Sequence, residues 1–158
     1  MREILFRGKS LDNGEWYYGS YLFLHISSVD WTGAKRGKPE DVHYIVNDQD
    51  INYAVYPSTI GQYTGLKDKN GKRIFEGDII RTHYANTRKN DFVEQVVFHN
   101  GRFCSLDKIP GPGNGKIWAS LPDGVPHLPR DKTPYMEWCE IIGNIHDNPE
   151  LLEGGDEG

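Results

Sequence analysis

Three of the four Asn-Gly dipeptides, at residues 13–14, 70–71 and 100–101, lie between segments rich in β-branched and aromatic residues. Both residue types tolerate the positive φ that tight hairpin turns require, so the dipeptide is a strong local signal for a β-hairpin. The first dipeptide predicts a hairpin over residues 3–24, and the third predicts a hairpin over residues 92–106. Repeated hairpins restrict the chain to a mainly β fold with only short helices.

The stretch around the second dipeptide, residues 61–81, predicts a strand, a turn, a short strand, a second turn and a third strand. Asp68 can accept hydrogen bonds from the backbone of the first turn. The second turn is Glu76-Gly77-Asp78, after which Ile79-Ile80 begins an apolar strand. This order is similar to that of compact SH3-like barrels. We therefore predict an SH3-like or similar small β-barrel with hairpin extensions.

The return strand of the first hairpin has apolar side chains at both parities. One parity holds Trp16, Tyr18, Leu22 and Leu24, and the other holds Tyr17, Tyr21 and Phe23. Because successive side chains of a strand point to opposite faces, this pattern is typical of a strand that is covered on both sides.

We predict a single domain over residues 1–152, which can divide into an N-terminal hairpin subdomain (1–58) and a barrel (59–152). Residues 109–134 hold six of the nine prolines and are expected to form a long loop. Gly143 indicates a bulge in the last strand, and Pro149 favours the start of a short C-terminal helix. Residues 153–158 form an acidic, Gly-rich tail, which we expect to be flexible.

Charge is distributed unevenly along the chain, whose net charge is −5. Residues 59–108 carry nine Lys/Arg and six Asp/Glu, whereas residues 109–158 carry three and nine. A basic face on a small barrel, with aromatic rings beside it, is typical of proteins that bind single-stranded nucleic acid. The candidate binding residues for that interpretation are Tyr63, Arg73, Arg81, Tyr84, Arg88 and Lys89.

No pattern in the sequence predicts a metal, a cofactor or a catalytic centre. Asp48, Asp50 and Asn52 have the opening spacing of a calcium loop, but its sixth and twelfth positions hold Tyr53 and Thr59 instead of Gly and Glu. The Gly-rich stretch 111–116 lacks the spacing of a phosphate-binding loop. Zinc ligation by His99, Cys104 and Cys139, or attack by either thiol, lacks the paired ligands or ordered base that such sites use. The carboxylates of Glu76 and Asp78 are explained more simply by a turn.

The two cysteines form no C-x-x-C pair, no apolar run approaches the length of a membrane span, and the N-terminus has no signal peptide pattern. These features favour a protein with free thiols in the cytoplasm of its cell and without a membrane partner.

Three blocks of sequence together resemble the YopX family of phage and prophage proteins. They are residues 2–8 with 12–16, residues 62–79 with the segments QYTGL, DKNGK and FEGDI, and residues 141–152, IIGNIHDNPELL. The blocks span nearly the whole chain in the family's order. The resemblance implies a bacterial host, and it implies no activity, because the family's function is unknown.

Function is therefore predicted by class. The preferred class is a non-catalytic accessory protein that acts by protein binding or assembly, because the aromatic surplus and the Pro-rich loop suit a binding surface. Its partner would be a host or phage protein or a second copy of the chain. The alternative is a nucleic-acid-binding β-barrel, which the acidic total disfavours, and an enzyme is the least supported class.

Overall fold

The computed structural model describes residues 3–27, 32, 37, 40–85, 91–99, 101–107, 116–120 and 135–153. The strands are β1 (Phe6–Lys9), β2 (Trp16–Ile26), β3 (Glu40–Val46), β4 (Asn52–Ala54), β5 (Gly61–Lys67), β6 (Arg73–Phe75), β7 (Asp78–Ala85), β8 (Asp91–His99), β9 (Arg102–Asp107), β10 (Lys116–Ser120) and β11 (Tyr135–Asn144). Single 3₁₀ turns span Pro57–Thr59 and Pro149–Leu152. All strand pairs are antiparallel and lie in two sheets, which confirms the mainly β prediction.

The chain divides into two compact units, residues 1–62 and 63–158. In the first unit the strands take the order β4-β3-β2-β1, and the first two residues of β5 pair with β1. Ile45 and Val55 are fully buried there. The predicted first hairpin is confirmed as β1–β2, with Lys9 opposite Trp16 and Phe6 opposite Gly19.

In the second unit, β5 from Tyr63 onward pairs with β6, and a five-stranded sheet takes the order β10-β9-β8-β7-β11. The predicted third hairpin is confirmed as β8–β9. One face of this sheet carries a core of Ile74, Ile80, Val96 and Cys139, against which Leu66, Phe103 and Ile141 pack.

The first two Asn-Gly turns use the glycine, rather than both residues, for the left-handed conformation. Gly71 has φ +81°, whereas Asn70 has no positive φ. Gly71 N–H donates to the Asp68 carbonyl at 2.9 Å, and Asp68 N–H donates to the Lys72 carbonyl at 2.8 Å. The turn between β5 and β6 is therefore longer than a two-residue hairpin loop, and its glycine ends it, as in turns that carry a G1 bulge.

The predicted closed barrel is wrong, because the described strands form open sheets. The physical reason lies at the outer edge of β11, which a barrel would have to pair with another strand. That edge is occupied by a turn instead: Lys69 N–H donates to the Cys139 carbonyl at 2.9 Å, and Ile141 N–H donates to the Asp68 carboxylate at 3.1 Å. A covered edge cannot accept a further strand.

Three local predictions at the C-terminal end have different outcomes. The predicted loop 109–134 contains β10, which pairs antiparallel with β9, and the rest of that loop lies outside the described residues. The short helix is a single 3₁₀ turn that begins at Pro149. The bulge is confirmed, since the β7–β11 register shifts between Ile141 and Gly143 and a Cβ at Gly143 would lie 2.7 Å from the Asn148 side chain. No helix among the described residues is long and apolar enough to cross a membrane.

Candidate functional site

The residues predicted to form a basic, aromatic surface have different surroundings in the structure. The Tyr63 ring is 5% exposed and lies against the Phe75 ring at 5.5 Å, with the Arg73 guanidinium 5.8 Å from its centroid. Tyr63 and Arg73 are thus together, but the tyrosine ring is already packed. Arg81 is exposed on β7, opposite Glu140 of β11.

The remaining predicted binding residues are Tyr84, Arg88 and Lys89. Tyr84 lies on β7, where its backbone pairs with Met136 of β11. Arg88 and Lys89 lie outside the described residues. The residues that the structure does place therefore combine a buried ring with an arginine that has a carboxylate neighbour, and the basic surface stays a prediction.

Asp68 organises the turn between β5 and β6 and fastens it to β11. Its carboxylate accepts hydrogen bonds from the backbone N–H groups of Asn70 and Lys72 at 2.9 Å and from that of Ile141 at 3.1 Å. Burial opposes its ionisation, but the three N–H groups outweigh that cost and, with the Lys72 ammonium, lower the pKa of Asp68. The carboxylate is therefore a charged structural clamp between two segments about 70 residues apart.

The two residues after Asp68 add contacts to the same strand. The Lys69 ammonium lies 2.8 Å from the Glu140 carboxylate, and the Asn70 amide donates to Glu140 at 3.3 Å. The hydrogen bond from Lys69 lowers the pKa of Glu140 against the opposing effect of burial, and Asn70 and Arg81 act in the same direction as Lys69. The polar side chains of this turn are thus engaged in holding it on β11.

The second turn of the central stretch is also structural. The Asp78 carboxylate accepts a hydrogen bond from Phe75 N–H at 2.8 Å and is buried. Gly77 donates to the Val96 carbonyl and accepts from Ile145 N–H, both at 2.9 Å. These bonds tie the turn to β8 and to the residue that follows β11, and they engage the Asp78 carboxylate within the turn.

A buried carboxylate on β8 is satisfied by hydroxyl groups. Glu94 accepts hydrogen bonds from Thr82 Oγ1 of β7 and from Ser105 Oγ of β9, and all three residues are at most 1% exposed. A buried charge is tolerated only when it is hydrogen-bonded. The sequence pattern does not predict this cluster, which joins three strands of the sheet in the second unit. Because its side chains are buried, a substrate cannot reach it.

The two cysteines lie on opposite faces of the five-stranded sheet. Cys139 is opposite Thr82, which shares its face with Glu94 of β8. Cys104 is opposite Val97, which is three residues from Glu94 on the same strand and therefore points to the other face. Both thiols are free and buried. Burial raises the pKa of Cys139 to about 11, and the carboxylates of Asp68 and Glu94 act in the same direction. Such a thiol is a poor nucleophile at neutral pH. No group of three or more metal-ligating side chains meets within the described ranges.

The feature that sequence reasoning missed is the distal half of β2. Every residue from Leu22 to Ile26 is exposed, although β2 was expected to be covered on both faces. The exposed fractions are Leu22 36%, Phe23 47%, Leu24 42% and Ile26 45%. Alternation shows which residues share a face, but it cannot show whether anything covers that face.

The reason for this exposure is the length of the neighbouring strands. β1 pairs with β2 only as far as Gly19, and β4 pairs with β3 only from Tyr44 to Val46. Beyond those points the sheet of the first unit narrows to β2 and β3 alone. We call residues 22–26 of β2 with residues 40–44 of β3 the apolar ribbon, in which only Tyr44, at one end, still pairs with β4.

The two faces of the apolar ribbon differ in chemistry. One face presents Leu22, Leu24 and Ile26, opposite Tyr44, Val42 and Glu40. The other face holds Phe23 and His43, whose rings lie 5.1 Å apart, and the exposed His25–Asp41 pair at 2.6 Å. His43 Nδ1 is hydrogen-bonded to the Tyr21 hydroxyl at 2.7 Å, which fixes the imidazole in the sheet. The first face is thus predominantly aliphatic, and the second is aromatic and polar.

Comparison with known proteins gives a family and a distant structural likeness. No curated protein matches the chain. Among solved structures, protein EF1440 from Enterococcus faecalis is similar, with 23% sequence identity over 96% of this chain and 99% of that one, at a TM-score of 0.45. A family model described as YopX protein matches residues 5–153. The chain therefore belongs to the YopX family.

Proposed function

We propose that this protein is a non-catalytic accessory protein that binds another protein chain through the apolar ribbon. One observation carries the proposal: five consecutive residues of β2 are exposed, and four of them are large hydrophobic residues. Exposed apolar side chains that are contiguous, rather than scattered, mark interaction sites on proteins. A two-stranded ribbon alone is marginally stable in water, so a partner that covers it also stabilises it.

Three buried carboxylates of the second unit support a non-catalytic role. The carboxylates of Asp68, Asp78 and Glu94 are each engaged with backbone or hydroxyl donors of the fold. General acid–base catalysis needs such a group within hydrogen-bond reach of a substrate. Binding through the ribbon needs none of them.

The setting we propose is the cytoplasm of a bacterial host, with the protein encoded by a phage or prophage. Family membership supports the origin, because the resemblance is to a family of phage and prophage proteins. Two buried free thiols on different faces of one sheet are suited to a reducing compartment.

The test is photo-cross-linking in cells that produce the protein, with a photoreactive aromatic amino acid in place of Leu24. The matched control carries it in place of Ile51, which is 45% exposed in the same unit but lies outside the ribbon. We expect a discrete protein adduct from position 24 and none from position 51. The proposal is refuted if position 24 gives no adduct, or if both positions give the same adducts.

A further inference from the structure

Within the part of the chain that the structure describes, the apolar ribbon has an unpaired strand edge as well as exposed faces. On the side of β2 away from β3, no strand among the described residues pairs with β2 beyond Gly19. An unpaired edge presents a row of N–H and C=O groups that can hydrogen-bond to a further strand. The partner that fits this surface is therefore an extended strand rather than a helix.

The side chains along this edge are mostly apolar. Residues 21–26 are Tyr-Leu-Phe-Leu-His-Ile, without proline, aspartate, glutamate, lysine or arginine. Native proteins usually protect such an edge with charges or proline, because it otherwise pairs with other chains. The outer edge of β3 is different, since it begins with the acidic residues Glu40 and Asp41.

A strand that pairs antiparallel with an identical strand generates a two-fold axis, which is the symmetry of most homodimers. If that axis passes through Leu24, Leu22 of one copy lies opposite Ile26 of the other, and Phe23 lies opposite His25. Every aliphatic residue then meets an aliphatic residue, and no like charges are opposed. This register ends at Leu22, next to the residues that precede β1.

We propose that a second copy of this chain binds along the free edge of β2, so that two ribbons form one continuous antiparallel sheet centred on Leu24. The inference rests on the proposed binding role of the ribbon and names its partner. In the dimer each ribbon gains a neighbouring strand, and its aliphatic face becomes part of a wider apolar surface. The β3 edge, with its two carboxylates, stays outside the interface.

The two-fold axis makes a sharp test possible, because residue 24 of one copy faces residue 24 of the other. We expect the wild-type protein to be dimeric by light scattering over a concentration series. Leu24→Lys and Leu24→Glu should each be monomeric, since like charges would be opposed. Mixing the two variants in equal amounts should restore a dimer that contains one copy of each. Ile51→Lys and Ile51→Glu are the matched controls and should stay dimeric.

Folding of the variants is checked by circular dichroism, and it should be unchanged because Leu24 is exposed. A monomeric wild-type protein would overturn the inference, as would a dimer that persists in both Leu24 variants or variants that do not complement each other. If the purified protein is monomeric while position 24 still cross-links to a different protein in cells, the binding role stands and the second copy is the wrong partner.

Discussion

The Asp68 carboxylate shows how one side chain can hold together segments that are distant in sequence. It satisfies two N–H groups of its own turn and one of β11, 73 residues away. These donors lower its pKa, and the bond to Ile141 holds the turn against the edge of β11. The sequence allowed the local part of this role, because Asp before Asn-Gly is a known turn signal. The bond to Ile141 has no local signal and could not be predicted.

Replacement of Asp68 by alanine should destabilise the protein by about 1.5–3 kcal/mol at pH 7, because charge-assisted hydrogen bonds to buried donors are lost. The folded-state pKa lies below the usual 3.8, so the stabilisation is present above about pH 4 and is lost as pH falls through the folded pKa. Urea unfolding of the wild type and Asp68→Ala at pH 7 and pH 3 measures both effects.

The exposed Asp48 supplies the control for this comparison, since Asp48→Ala should change stability little at either pH. A stability difference between wild type and Asp68→Ala that is as large at pH 3 as at pH 7 would contradict the role of the charge.

At the level of elements, the sequence predicts the hairpins, but it does not predict which strand faces are buried. Asn13-Gly14 and the β-rich runs beside it give β1 and β2, because glycine supplies the positive φ that the turn needs. The pattern in residues 16–24 correctly shows apolar side chains at both parities. Whether those faces are buried depends on where β1 and β4 end, and the sequence of β2 does not show where those strands end. The apolar ribbon was therefore missed for a physical reason: exposure is set by neighbouring strands.

The same distinction applies to the cysteines, whose spacing in sequence left open whether they meet. The register places them on opposite faces of the sheet, and burial raises the pKa of Cys139 to about 11. We expect neither thiol to react with a disulfide reagent at pH 8 in the native protein, and both to react once the protein is unfolded in denaturant. Rapid labelling of a thiol in the native state, or an intramolecular disulfide detected by mass spectrometry after mild oxidation, would contradict this arrangement.

At the scale of the whole molecule, the chain combines a net charge of −5 with a basic middle, and this balance decides between the two binding functions. Residues 59–108 carry a net charge of only +3. Two of these cations already have partners in the structure: Lys69 contacts Glu140, and Arg73 lies over the Tyr63 ring. A nucleic-acid surface needs unengaged cations over a wide area and aromatic rings that bases can stack on.

We therefore expect no submicromolar binding to single-stranded DNA, double-stranded DNA or RNA at about 150 mM salt, where non-specific binders typically show Kd values of about 10⁻⁴–10⁻⁶ M. Fluorescence anisotropy over a salt series measures this, because phosphate contacts impose a steep salt dependence. Arg81→Ala/Arg88→Ala removes two of the candidate cations, and Arg102→Ala removes an exposed arginine of the same sheet as the control. Tight binding that falls in the double variant and persists in the control would establish the basic middle as a nucleic-acid surface. Binding of that kind would reverse the preference for a protein partner. It would also require the buried Tyr63 ring to leave its contact with Phe75 in order to stack on a base.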